Sequence, residues 1–284
     1  MKNRAAAFFP TLGKSIAVFS NPWNKRLGFT LIELMMVVAV IGVLAALLAP
    51  VLTSGLNRAQ ASKCQSNIRQ LFIANTLYAA EHGSYVAAAP DIFGKNLVRW
   101  HGTRSSTQKP FDGTRGPLYE YLSRSDGIRS CPSFKNLRSG AAFSAFEDSC
   151  GGYGYNDRGV GSRSYYDGYN SNGVTRGMSP GSIRQPAETV MFCDTAYPQP
   201  YGSPSYLIEY SFAESYQFVS DHTPPVASGQ ADPTIHFRHS GRANVVWCDG
   251  HVSSEAMTVA GGGNFDRFNL GWFGPANNTL FDPH

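Results

Sequence analysis

Gly28-Phe29-Thr30-Leu31-Ile32-Glu33-Leu34 opens an apolar run that continues to Leu52, and the reading of this stretch decides the fold. Over the 24 residues from Phe29 to Leu52 the only charged side chain is Glu33. A helix rises about 1.5 Å per residue, so roughly 20 apolar residues cross a bilayer. The helix of a soluble domain would normally keep a polar face over such a length. An ordinary single-pass anchor fits the apolarity, but a carboxylate five residues into it costs roughly 2.5 kcal/mol or more without a partner. Glu33 is therefore a functional candidate. Its natural partner is an α-amine freed at Phe29, its own or a neighbour's, if the chain is cut after Gly28.

The longer stretch Lys25-Arg26-Leu27-Gly28-Phe29-Thr30-Leu31-Ile32-Glu33-Leu34 resembles the cleavage and methylation signal of type IV prepilins and type II secretion pseudopilins. The basic pair, the Gly before the cut, the Phe after it and the Glu all match. The resemblance implies that a membrane prepilin peptidase cuts between Gly28 and Phe29 and methylates the new N-terminus, and that Glu33 acts in assembly. Gly42 and Pro50 fall where such helices soften or bend. It further implies an α+β, pilin-like fold: a long N-terminal α-helix, membrane-spanning in its first half, packed on an antiparallel β-sheet body with long loops. The partners implied are the peptidase, other pilin or pseudopilin subunits, inner-membrane components of a secretion system, and the membrane itself.

Charge sets the topology. Residues 1–28 carry Lys2, Arg4, Lys14, Lys25 and Arg26 and no acid, so their removal takes away five positive charges and moves the net charge from +4 to −1. Basic flanks stay cytoplasmic, so the N-terminus faces in and everything after Leu52 faces out, and the resemblance implies that the membrane is the bacterial cytoplasmic one, crossed once. A near-neutral body offers no electrostatic reason to bind nucleic acid. The expected organisation is a leader (1–28), a transmembrane or filament-core helix (29–52), its amphipathic continuation (53–83) and an extracytoplasmic domain (84–284). With 29 Gly, 17 Pro and only 15% charged residues, that domain reads as loop-rich and β-containing.

After Pro50 the periodicity stays helical, with Leu56, Ala59, Cys64, Ile68, Leu71, Phe72 and Tyr78 at steps of three and four. Gly83 is a plausible cap, and one helix to His82 would be about 80 Å long. Ser84–Ala89 reads as a short strand or extended arm, 90–117 as polar loop, and Pro117–Leu122 as a short helix. From Ser123 to Met178 the Gly, Ser, Asn, Asp and Tyr content predicts a surface excursion of turns held by tyrosine packing, or a recognition surface for polysaccharide or partner subunits. Glu188–Asp194 and Ala243–Asp249 are similar β-branched and aromatic runs ending in Cys-Asp, expected as buried strands of one sheet. Asp249-Gly250 then predicts a two-residue hairpin. Phe265, Phe268, Trp272 and Phe273 suggest that the tail packs on the body.

His239, nine residues, then Asp249-Gly250 resembles a C-terminal signature of prepilin-like proteins with large ectodomains. The expected role is structural, with Asp249 and Gly250 making a turn and His239 bonding to that turn or to a neighbouring strand. His236, His239, Asp249 and His251 fit no short metal-ligand spacing, so no metal is expected. Calcium is the one cofactor entertained, although Asp148, Asp157 and Asp167 match no calcium loop. No nucleophile elbow, paired-carboxylate motif or phosphate-binding glycine loop points to an enzyme. Of the five cysteines, Cys131 and Cys150 could staple the loop region, Cys193 and Cys248 read as buried thiols or a cross-strand pair, and Cys64 is the odd one. The reading is a pilin-like or pseudopilin subunit that works by assembly. The alternative is a membrane-anchored, surface-displayed protein that binds glycans or partners and uses the prepilin route only for export.

Overall fold

A computed structural model describes residues 28–122, 130–135, 147–199, 206–221 and 225–284. The expected leader lies outside the described residues, as does most of the stretch between 123 and 146. The fold is α+β: one long N-terminal helix followed by antiparallel sheets. Helix α1, Leu31–His82, has 52 residues and runs through Gly42 and Pro50 without a break in its assignment. By contacts the chain divides into two units, one ending at Val51 and one from Leu52 to His284.

In the first unit every described side chain is exposed, including Leu31, Ile32, Met35, Val38, Ile41 and Leu48. In the second unit the helix packs on the body from Cys64 onward. Its buried residues are Cys64, Asn67, Ile68, Leu71, Ala74, Asn75 and Ala79, at the three and four residue steps of one face. Leu56 and Ala59, expected on that face, are exposed. Two asparagines not expected there are buried because each serves a tyrosine of the adjacent strand. Asn67 Nδ2 donates to Tyr153 Oη at 3.2 Å, and Asn75 Nδ2 donates to Tyr155 Oη at 3.0 Å. Asn75 also accepts the Val86 N–H at 2.9 Å, so the helix fixes the extended arm that follows it. That arm carries no strand ladder.

Seven strands build the two main sheets: β1 (Tyr153–Tyr155), β2 (Val190–Asp194), β3 (Ile235–His236), β4 (Arg242–Trp247), β5 (Val252–Ala256), β6 (Val259–Ala260) and β7 (Leu270–Trp272). The first sheet has the order β5-β4-β2-β1 and the second β6-β7-β3, with every pairing antiparallel. The two Cys-Asp runs are thus neighbours in one sheet, Val245 opposite Cys193. Strand β4 reads as a continuous apolar run because both of its faces are covered. Val246 joins the core that includes Cys64, Ile68 and Leu71, while Ala243, Val245 and Trp247 join Ile235, Trp272 and Phe273 on the other side.

Three expectations are corrected. The glycine- and tyrosine-rich stretch around 150–162 is core, not a surface excursion: Tyr153 and Tyr155 are fully buried in β1. Gly154 lets that strand approach, since a Cβ there would meet Thr195 Cγ2 and the Phe212 backbone carbon at 2.7 Å. The hairpin after β4 has a three-residue loop, Cys248-Asp249-Gly250, rather than two. Gly250 N–H bonds to Trp247 O at 2.9 Å and Trp247 N–H to His251 O at 3.1 Å. Gly250 takes φ +90° and faces Phe72 of α1, whose Cε1 would lie 2.6 Å from any Cβ, so the bulged loop seats the hairpin on the helix. Finally, the disulfide joins Cys131 to Cys64 of α1, not to Cys150. Cys150, Cys193 and Cys248 are free and buried. Cys193 and Cys248 do not pair because they belong to cores on opposite faces of the sheet.

Candidate functional site

Two places gather the chemistry. The first is the start of α1, where Thr30 precedes the first helical residue. Thr30 N–H and Oγ1–H both donate to Glu33 Oε2, at 2.9 and 2.7 Å, and Glu33 N–H donates back to Thr30 Oγ1 at 3.3 Å. This is a reciprocal capping box: a threonine at the N-cap and a glutamate three residues on satisfy amides that the first turn leaves unpaired. The negative charge also faces the positive end of the helix dipole. Gly28 and Phe29 lie just ahead of the box, exposed and non-helical.

The second place surrounds His239 and Asp194. His239-Ser240-Gly241-Arg242 is the tight turn into β4, closed by His239 N–H to Arg242 O at 3.0 Å and Arg242 N–H to His239 O at 3.2 Å. The turn aims the imidazole at the end of β2, with Nε2 3.2 Å from Asp194 Oδ2. Asp194 Oδ2 also accepts the Asn244 N–H at 2.7 Å, and Oδ1 accepts Arg238 Nη2 at 2.6 Å. Both side chains of the Arg238–Asp194 pair are fully buried. Burial works to raise the Asp194 carboxyl, but Arg238, His239 and the Asn244 amide overcome it and hold it below the usual carboxylate range. Arg238 goes on to bond Thr195 O at 3.1 Å and Gly152 O, which ties β1, β2 and β3 together. Nearby His236 is kept neutral, pushed down to about 3 by burial and then by Arg238.

Asp249 and Gly250 lie elsewhere, in the hairpin loop against α1. Asp249 Oδ1 accepts the His251 N–H at 3.0 Å and stands 2.7 Å from His251 Nδ1, both side chains half exposed. The structure therefore does not bring His239 together with Asp249 and Gly250. Nor do His236, His239, Asp249 and His251 form one cluster. Of the aspartates weighed for calcium, Asp157 is paired with Arg158 at 3.2 Å and Asp167 with Arg163 at 2.6 Å.

Sequence reasoning missed Asp194 and Arg238, and two further buried ion clusters. Arg99 meets Glu147 at 3.0 Å, with Ser211 Oγ donating to the same carboxylate at 2.5 Å. Arg158 lies between Asp157 and Glu214 Oε2, the latter at 3.4 Å. The one available signal was an aspartate closing an all-apolar run, as Asp194 closes Val-Met-Phe-Cys.

The Arg158 cluster makes a pH prediction. Burial, then Glu214, push the Asp157 carboxyl up to about 8, with Arg158 opposing. The folded state then keeps a proton that the unfolded chain releases near its ordinary value of 3.8, so this group lowers stability as pH rises from about 4 to 8. The limiting slope is ~1.4 kcal/mol per pH unit. His236 titrates in the lower part of that window with the opposite sign, so the comparison is made against Asp157→Asn, which cannot ionise. The stability gained by the variant over wild type, followed by thermal denaturation, grows between pH 5 and 8. A pH-independent difference contradicts the assignment.

Residues 23–49 match the prokaryotic N-terminal methylation motif. Over 72 residues the chain is 40% identical to the type IV major pilin protein PilA of Myxococcus xanthus (strain DK1622), a match covering 25% of this chain and 32% of that protein. The chain thus spans about a third of the length of that curated relative. No solved structure matches it. Within the described residues α1 is long and apolar enough to cross a membrane. The N-terminal part of the chain is thus similar to a type IV pilin and carries the methylation motif.

Proposed function

We propose that this protein is a pilin or pseudopilin subunit, made as a precursor, cut between Gly28 and Phe29 by a prepilin peptidase, methylated at Phe29, and assembled through the first half of α1 into a filament or secretion pseudopilus. The observation that carries this reading is the methylation motif lying over a helix start whose only charge is Glu33. The exposed apolar surface of Leu31–Val51 needs lipid or other copies of the same helix around it. Its amino end would carry a positive amine into that apolar setting, and a carboxylate on a neighbouring subunit is the economical counter-charge. The mechanism is assembly, with Glu33 pairing the N-terminal amine of the adjoining subunit.

We prefer assembly to display of a glycan-binding or partner-binding face. Tyr153 and Tyr155, among the tyrosines that suggested such a face, are buried. The test compares native host cells with and without their prepilin peptidase. With the enzyme, the chain is recovered in a sheared, sedimentable filament fraction. Without it, full-length precursor stays in the membrane. Equal recovery in the filament fraction from both strains overturns the proposal.

A further inference from the structure

Cys64 Sγ, Cys131 Sγ and a His239 ring nitrogen are all buried and lie within 4.8 Å of one another. They come from α1, from the residue before the short helix Pro132–Lys135, and from the turn into β4, so no linear spacing announces them. The cysteines form the disulfide here, with Cα atoms 5.2 Å apart. We infer that in their thiol form, the state in which cysteines leave the ribosome, these residues are a binding site for zinc or a similar borderline-soft divalent cation, and that disulfide formation closes it.

The geometry carries this. Zinc bonds of ~2.3 Å to sulfur and ~2.0–2.1 Å to imidazole at tetrahedral angles place a ligand nitrogen about 3.6 Å from a ligand sulfur. His239 Nε2 stands 3.7 Å from Cys131 Sγ. Two thiolate sulfurs on such an ion lie about 3.8 Å apart, which side-chain rotation supplies once the sulfur–sulfur bond is absent. Ser133 Oγ, 3.5 Å from His239 Nδ1, is placed to accept the ring proton when Nε2 gives up its 3.2 Å contact with Asp194 Oδ2 and turns to a metal, the usual arrangement of an orienting partner behind a ligand histidine. Ser133 and His239 also line a cavity of about 510 Å³ with Gln60 and Asn244, which offers a path for the ion and a water as fourth ligand. Charge closes as well. Two thiolates neutralise the cation, and the nearby Asp194 and Arg238 already neutralise each other.

The chemistry balances in both directions. Binding of Zn²⁺ by two thiols and a neutral imidazole releases two protons. A disulfide oxidant then takes two electrons from the pair of thiolates. The Cys64–Cys131 bond forms, the oxidant's own sulfur–sulfur bond breaks to give two thiols with two protons from solvent, and the cation is released. The metal form and the stapled form are thus alternatives of one site, chosen by thiol–disulfide state.

The test uses the full-length chain in detergent, prepared with a dithiol present, and cobalt(II) as the probe. The expected result is one equivalent of cobalt per chain, a thiolate-to-cobalt charge-transfer band, and visible bands of tetrahedral intensity. His239→Ala weakens binding at least ~10-fold and alters the visible bands, while its disulfide still forms on oxidation. A chain with Cys150, Cys193 and Cys248 all replaced by Ala keeps the wild-type spectrum. Three outcomes overturn the inference: no charge-transfer band in the reduced wild type, a spectrum and affinity that His239→Ala leaves unchanged, or loss of near-ultraviolet circular dichroism when the chain is reduced.

Discussion

Glu33→Ala is expected to leave the chain in the membrane but to remove it from the filament fraction. In the proposed function membrane residence rests on the apolar run Leu31–Leu52, which the substitution makes more apolar. Assembly is different, because each incoming subunit would bring an unpaired amine against apolar helices, and an uncompensated buried charge costs ~3–5 kcal/mol. Repeated at every interface, that cost reduces incorporation by at least ~100-fold, since 1.4 kcal/mol is a factor of ten. The capping box complicates the Ala variant, which loses helix-start hydrogen bonds as well as charge. Glu33→Gln separates the two. Glutamine keeps the Thr30 N–H and hydroxyl partners, as capping boxes allow, but carries no charge. If the carboxylate acts as counter-charge, Gln assembles no better than Ala. Rescue by Gln shows instead that helix capping is the whole role of Glu33.

The second large effect is on stability. Asp194→Ala is expected to cost ~3–5 kcal/mol, because it leaves the fully buried Arg238 guanidinium without its carboxylate and unseats His239 and the Asn244 amide together. Against a net stability of ~5–15 kcal/mol for a typical domain, that is enough to unfold a marginal one. Chemical denaturation of the full-length chain measures it. Asp194→Asn keeps a hydrogen-bond acceptor and loses less. The contribution of the ionised Asp194 is present above about pH 4 and fades as pH falls through its depressed value, so wild type and Asp194→Asn converge in acid. A loss under 1 kcal/mol for Asp194→Ala would falsify the view that this ion pair organises β1, β2 and β3.

The long helix, its extent to His82 and the pairing of the two Cys-Asp runs were legible because each rests on local chemistry. An unbroken apolar run, a three and four residue periodicity, and β-branched strands report their own conformation. The inward turn of Tyr153 and Tyr155 was not legible. Glycine and tyrosine in alternation look like surface loop until Thr195 and Phe212 are seen packed against Gly154. The cysteine pairing was hidden for the same reason, since Cys64 and Cys131 are 67 residues apart and meet only through tertiary packing. At the helix start Glu33 stood out as a lone charge, but its bond to Thr30 depends on where the first turn begins. His239 was visible as a signature residue, whereas its contact with Asp194 needed the neighbouring strand. Arg99, Glu147, Arg158 and Glu214 gave no signal, because a buried ion cluster is assembled from residues that are each common on surfaces.

Processing at Gly28-Phe29 is tested most directly by the mass of the N-terminal peptide of the protein isolated from membranes of its native host. The expected result is a chain that begins with N-methylated Phe29. A chain that still begins with Met1, in cells whose prepilin peptidase is active on other substrates, contradicts it and returns Phe29–Leu52 to a plain membrane anchor.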